Sequence, residues 1–167
     1  MIFKCQTNIK VTAHELKHLK IHALKGNNVF NPDNKRYQNI LSTHRIKKKL
    51  REFLIEHKWL RNRSMGTTVV MHSKAQCAKQ HWHTDFDPDM CKSAQVKPLG
   101  VLFALQDNTS LNIHKRKKID LKRGEMLLFS GDVIHAGSHY DNENTRIHIY
   151  LDSNEVKRQR NKTFIIK

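Results

Sequence analysis

The sequence predicts a mainly β protein of the sandwich or barrel type, with helices in its first third packed against the strands. Two observations predict it. The apolar pattern changes near Gly66 from helical spacing to short runs rich in Val, Ile, Leu, Thr and Phe. Those runs are separated by polar turns and never by a helix-length segment, which favours antiparallel pairing over parallel βαβ units. At 167 residues with 38% apolar, the chain is long enough to bury one core and too short for two.

The first helix is expected over Ala13 to Leu24, where Leu16, Leu19 and Ile21 sit among His14, Lys17, His18 and Lys20, with Gly26 as the stop signal. Residues Asn27 to Tyr37 read as a loop, because Asn31-Pro32-Asp33-Asn34 collects turn-forming residues and Pro32 biases Asn31 away from helical geometry. A second helix is expected from about Thr43 to Leu60. Ile46, Leu50, Phe53, Leu54 and Leu60 make its apolar face, and Arg45, Lys47, Lys48, Lys49 and Arg51 make a solvated basic one. Strands are expected at Thr67–His72, Pro98–Leu105, Ser110–His114, Met126–Phe129 and Thr145–Leu151. The expected organisation is one domain over 1–167: mainly helical support in 1–65, a β core in 66–152 and a basic tail in 153–167.

Lysine and arginine total 31 against 15 acidic residues, a net charge of +16. Such a field draws in polyanions at low salt, so a nucleic acid or an acidic protein is a candidate partner. The basic runs Lys115-Arg116-Lys117-Lys118 and Lys157-Arg158-Gln159-Arg160 lack the interleaved aromatics that grip single-stranded bases, and they read as solvated. No run approaches the roughly 18 apolar residues of a membrane span, and Met1-Ile2-Phe3-Lys4-Cys5 lacks the apolar stretch of a signal peptide. A soluble, intracellular protein is expected. Cys5, Cys77 and Cys91 are odd in number and widely spaced, as expected of reduced thiols, and nothing in the sequence places an activating base beside Cys77.

The chemistry lies in His81-Trp82-His83-Thr84-Asp85-Phe86-Asp87. On an extended strand its imidazoles and carboxylates all point to one face. A divalent transition metal gives such a face a purpose, because two neutral imidazoles and one carboxylate suit Fe(II) and leave coordination positions open. A further ligand must come from a distant strand. His135 is the best placed, following the run Met126–Phe129 and the Ser130-Gly131-Asp132 turn, with the small Ala136 and Gly137 beside it. Turn chemistry accounts for Asp132.

His83-x-Asp85, then His135, then Arg146 eleven residues later resembles the signature of the Fe(II)/2-oxoglutarate-dependent dioxygenases, over roughly Gly66 to Asp152. The resemblance implies a double-stranded β-helix, a jelly-roll or cupin-like core with the N-terminal helices packed on it. It implies that His83, Asp85 and His135 hold Fe(II), and that Arg146 binds the distal carboxylate of 2-oxoglutarate, a task suited to a planar guanidinium fork. It also implies that O2 and 2-oxoglutarate are consumed to hydroxylate a substrate, or to demethylate it where the attacked carbon is an N-methyl. His148 stands where many relatives have a small polar residue, and strand alternation turns it toward the face of Arg146 and Tyr150, so it is a second candidate for binding the cosubstrate.

His81 and Asp87 are rivals to His83 and Asp85 after a two-residue shift in register, and His139 is a weaker rival to His135; the family pattern favours His83, Asp85 and His135. Two other functions share these residues. One is a basic nucleic-acid-binding protein on the same fold with no catalysis, marked by a steep salt dependence of binding. The other is a metal-dependent cupin isomerase or sugar-modifying enzyme, which has no use for Arg146 as a 2-oxoglutarate anchor.

Overall fold

A computed structural model of the chain describes residues 1–29, 32–159 and 162–166. In chain order its elements are β1 (Ile2–Gln6), α1 (Ala13–Leu24), β2 (Asn27–Asn28), β3 (Arg36–Ile40), α2 (Arg45–Glu56), β4 (Arg63–Ser73), β5 (His83–Thr84), α3 (Pro88–Ser93), β6 (Leu99–Ala104), β7 (Thr109–Ile113), β8 (Ile119–Leu121), β9 (Glu125–Ser130), β10 (His135–Gly137), β11 (Asn144–Ser153) and β12 (Phe164–Ile165). The strands form two antiparallel sheets. The larger runs β1-β9-β6-β11-β4-β3-β2 and the smaller runs β12-β5-β10-β7-β8. This is the sandwich expected from the short strands, in the jelly-roll arrangement that the resemblance implies.

Alternation along β11 divides the molecule. Ile147, Ile149 and Leu151 face outward into a core that they share with Leu19 and Ala23 of α1 and with Ile46, Leu50, Phe53 and Leu54 of α2. Burying each large side chain there is worth about 1.5–3 kcal/mol, so the helices cover the back of the larger sheet because their apolar stripes have nowhere drier to go. The opposite face of that sheet gives Leu102, Ala104, Leu127 and Phe129 to a second core with Leu111, Ile113 and Leu121 of the smaller sheet. Beside that core, in the same space between the sheets, lie Arg146, His148 and Tyr150.

The start of α1 is held by a reciprocal cap. Thr12 Oγ1 accepts from Glu15 N at 3.2 Å and the Glu15 carboxylate accepts from Thr12 N at 3.0 Å. Arg45 at the start of α2 donates to the same carboxylate at 2.6 and 2.9 Å, which ties the two helices together. Thr12→Ala is expected to cost about 1 kcal/mol in a urea titration. The bond from Arg45, with the cap bonds from Thr12, holds the Glu15 carboxyl down to about 2, against an ordinary 4.5. A folded-state pKa below the unfolded one contributes stability that is complete above the unfolded value and lost as pH falls toward the folded one. The urea midpoint of Glu15→Gln is therefore expected to fall less steeply than that of the wild type between pH 4.5 and 2.

The N-terminal region holds both helices expected of it and adds strands to that support. Residues 2–6 pair with β9 in the larger sheet, and β3 pairs with β4 through Arg36↔Ser73 to Ile40↔Val69. The Pro32–Asn34 turn is present, with Asn34 at φ 52°, but the polar chain leading out of it is a strand and not a loop. Backbone pairing to β4 holds Arg36-Tyr37-Gln38-Asn39-Ile40, and no apolar alternation signals it. Asn31 lies outside the described residues. At the other end the basic tail is partly built into the fold: Val156 is buried, and β12 extends the smaller sheet through Ile165↔His83. Arg160 lies outside the described residues. No helix among the described residues is long and apolar enough to cross a membrane.

Candidate metal centre

His83 on β5 and His135 on β10 are directly paired across the smaller sheet, and their ring centroids are 4.4 Å apart. Asp85 follows where β5 ends. One ligand atom from each of the three residues lies within 4.8 Å of the others, and His135 Nε2 is 3.7 Å from Asp85 Oδ1. These are spacings across which a single ion could be shared.

The backbone fixes how the rings present themselves. His83 Nδ1 lies 2.8 Å from the carbonyl of His81, and His135 Nδ1 lies 2.9 Å from that of Val133. A carbonyl can only accept, so in both rings Nδ1–H donates and the lone pair sits on Nε2, the usual orientation of a metal-binding imidazole. Burial lowers the pKa of His83 and brings His135 down to about 4, so both rings are neutral at neutral pH. Burial pushes the Asp85 carboxyl up, but His148 and His135 outweigh it and hold the group below the usual carboxylate range. Asp85 is 4% exposed, with Oδ2 3.1 Å from His148 Nε2 and Oδ1 3.7 Å from His135 Nε2. A buried carboxylate is costly unless a cation answers its charge. Two neutral imidazoles and one anionic oxygen donor converging in this way fit Fe(II).

Asp87 is carried out of the cluster because the pairing of β5 lasts only two residues. After Asp85 the chain turns into α3, where Asp87 becomes the cap and accepts from Asp89 N at 2.9 Å. His81 is exposed at the cavity wall, and His139 pairs with Asp141 at the surface. His148 stands against Asp85, its Nε2 3.1 Å from Oδ2, and stacks on Tyr150 with 4.5 Å between centroids.

These groups line a cavity of about 450 Å3 that also includes Arg146, Tyr150, Gln80 and Arg158. The volume suits a small-molecule ligand. Arg146 is 2% exposed; its Nη1 donates to Ser73 Oγ at 3.1 Å and its Nη2 has no hydrogen-bond partner among the described residues. Sequence reasoning had found Arg146 but missed Arg36, which is wholly buried on β3 with Nη2 3.4 Å from Cys77 Sγ. That contact gives Cys77 the basic neighbour the sequence did not show, but the thiol is itself fully buried. Sequence reasoning also missed Gly100, on β6 between Phe129 and Tyr150 of the flanking strands. A Cβ there would stand 2.5 Å from Phe129 Cε2 and 2.8 Å from Asp85 Oδ2. Gly100→Ala is therefore expected to displace the Asp85 carboxylate and weaken Ni(II) binding about tenfold by calorimetric titration, in the range of changes that misorient a ligand.

No protein-family model and no curated protein matches the sequence. Solved structures do match it. A viral collagen prolyl hydroxylase from Paramecium Bursaria Chlorella virus-1, in complex with 2-oxoglutarate, aligns with 90% of this chain and 94% of its own at 19% identity and a TM-score of 0.63. HygX from Streptomyces hygroscopicus, with nickel and 2-oxoglutarate bound, aligns over 92% and 83% at 8% identity and a TM-score of 0.64. A Trichoplax adhaerens prolyl hydroxylase, in complex with a peptide fragment of the hypoxia inducible factor oxygen degradation domain, aligns over 90% and 82% at 12% identity and a TM-score of 0.63. The chain has the fold of these proteins.

Proposed function

We propose that this protein is an Fe(II)- and 2-oxoglutarate-dependent dioxygenase that hydroxylates, or oxidatively demethylates, its substrate. The observation that carries the reading is that His83, Asp85 and His135 share one cavity with a buried arginine, Arg146, that has a free donor. The fold supports it, since neighbours of the same architecture hold 2-oxoglutarate. Fe(II) bound by the three side chains would couple O2 and the oxidative decarboxylation of 2-oxoglutarate to oxidation of a substrate carbon.

The chain's own residues supply position and field. His83 and His135 offer Nε2 lone pairs from rings locked by backbone carbonyls, and Asp85 offers an anionic oxygen. His148 sits against the other Asp85 oxygen and so orients the ligand, a role the geometry favours over contact with the cosubstrate. Arg146 presents Nη2 to an anionic group while Ser73 holds its Nη1. Phe129, edge-on to His135 at 4.8 Å, and Leu102 give the cavity an apolar wall that limits water. Two of the neighbours are prolyl hydroxylases, one with a peptide bound, so proline-containing peptides are the first substrates to try.

The test is conversion of 2-oxoglutarate to succinate by the Fe(II)-loaded protein in air, with and without such peptides, against His135→Ala. Turnover that disappears in the variant is expected. If no succinate forms and 2-oxoglutarate fails to bind the Ni(II)-loaded protein, the reading falls.

A further inference from the structure

Arg36 and Arg146 are two buried guanidinium groups that form no ion pair with a carboxylate among the described residues. Arg36 is 0% exposed and Arg146 is 2% exposed, and they stand 5.7 and 5.1 Å from the ring centroid of the same residue, Tyr140. The strand register brings them together: Arg36 pairs with Ser73 on β4, and Ser73 Oγ accepts from Arg146 Nη1. Neither makes an ion pair with an acid among the described residues, and Asp33 is the weakest of the charges acting on Arg36. Burial, and then the charge of Arg146, lower the pKa of Arg36 to about 10, which leaves it cationic at neutral pH.

Part of Arg36 has an architectural use. Its Nη2 donates to the carbonyls of Ser138 at 2.8 Å and Ala78 at 3.2 Å, clamping the chain after β4 to the chain after β10. That clamp uses one nitrogen, whereas Nε and Nη1 are buried without a hydrogen-bond partner among the described residues, as is Nη2 of Arg146. A like-charged buried pair with unsatisfied donors is costly, and one small anion at Arg146 would complete its Nη2 and relieve the repulsion. The free Nη1 lies behind the cavity wall at Gly137, where a Cβ would come within 2.9 Å of it, and Gly137 lines the cavity with Gln80 and Arg146. The missing side chain keeps that wall thin.

We propose that Arg36, from behind the thin wall at Gly137, backs Arg146 in seating the distal carboxylate of 2-oxoglutarate, its buried charge raising affinity for the anion beyond what Arg146 supplies. This rests on the reading of Arg146 as the cosubstrate anchor. The seat recognises a carboxylate end and does not depend on the metal, so glutarate, which lacks the keto group, is a suitable probe of the metal-free protein.

Thermal unfolding of the metal-free protein is titrated with glutarate, and 2-oxoglutarate binding to the Ni(II)-loaded protein is measured by calorimetry, for wild type, Arg146→Gln, Arg36→Gln and Arg36→Lys. Loss of the buried charge behind the seat predicts that Arg36→Gln weakens 2-oxoglutarate about tenfold or more, with Arg36→Lys recovering much of it. Glutarate is expected to raise the unfolding temperature of wild type and of neither Gln variant. If Arg146→Gln loses binding while both Arg36 variants bind as wild type does, the seat is overturned and the dioxygenase reading stands. If neither Gln variant changes 2-oxoglutarate binding, the dioxygenase reading itself fails. Should Arg36→Gln not fold, the unmodified protein decides with 15N-labelled arginine: two buried guanidinium Nε–H signals moving on glutarate addition support the seat, and one moving overturns it.

Discussion

Replacing Asp85 by Asn is expected to abolish metal-dependent stabilisation while leaving the fold intact. The amide has nearly the volume of the carboxylate, so the buried surroundings of Asp85, with Phe129 and Gly100 on one side and His148 on the other, need not move. What changes is the donor: a neutral amide oxygen replaces the anionic oxygen that sits 3.7 Å from His135 Nε2. Disturbing a group that only orients a ligand already costs 10- to 100-fold in metal affinity, so losing the anionic ligand should cost more than about 100-fold. At a free Ni(II) concentration about 100 times the wild-type dissociation constant, the wild type gains about 2.7 kcal/mol of stability by mass action, and the variant gains less than about 0.5 kcal/mol. Chemical denaturation with and without Ni(II) reads both numbers. Equal stabilisation of the two proteins would remove Asp85 from the site.

Much of this centre was legible because its parts are covalently close or rhythmically spaced. His83 and Asp85 share one face over a single alternation, and α1 and α2 announce themselves by apolar stripes of which Leu19, Ile46, Leu50 and Leu54 are fully buried, although Ile21 of α1 is exposed. Asp87 misled for a physical reason: alternation presumes that an extended chain continues, and here Pro88 starts a helix that turns Asp87 into a cap. Arg36 was not legible at all. It lies in a polar stretch after a turn, its burial is created by strand pairing to β4 and by chain segments about 41 and 102 positions away, and no local pattern carries that information. Gly100 hides for the same reason, since its constraint comes from Phe129 and Asp85, which are remote in sequence. The substrate is less legible still. The net charge of +16 is spread over exposed lysines and arginines and selects no particular chemistry.

The larger effect on the cosubstrate is expected at Arg146. Its guanidinium is buried, one nitrogen is fixed by Ser73 Oγ and another is free, which is a fork aimed and only half used. If a carboxylate completes it, Arg146→Ala leaves that carboxylate in a dry cavity without its counter-charge, and truncating one partner of a buried charge pair costs about 2–5 kcal/mol. The KM for 2-oxoglutarate should rise at least about 30-fold. Arg146→Lys should fall between, because an ammonium keeps the charge but cannot match the planar carboxylate with two parallel hydrogen bonds. Ni(II) affinity should stay near the wild-type value in both, since Arg146 offers no ligand to the metal. That separation is the discriminating feature. A metal-dependent isomerase on the same fold would bind metal through His83, Asp85 and His135 and show no 2-oxoglutarate dependence in any of the three proteins. A dioxygenase must lose its cosubstrate in the order Ala before Lys before wild type while its metal stays in place.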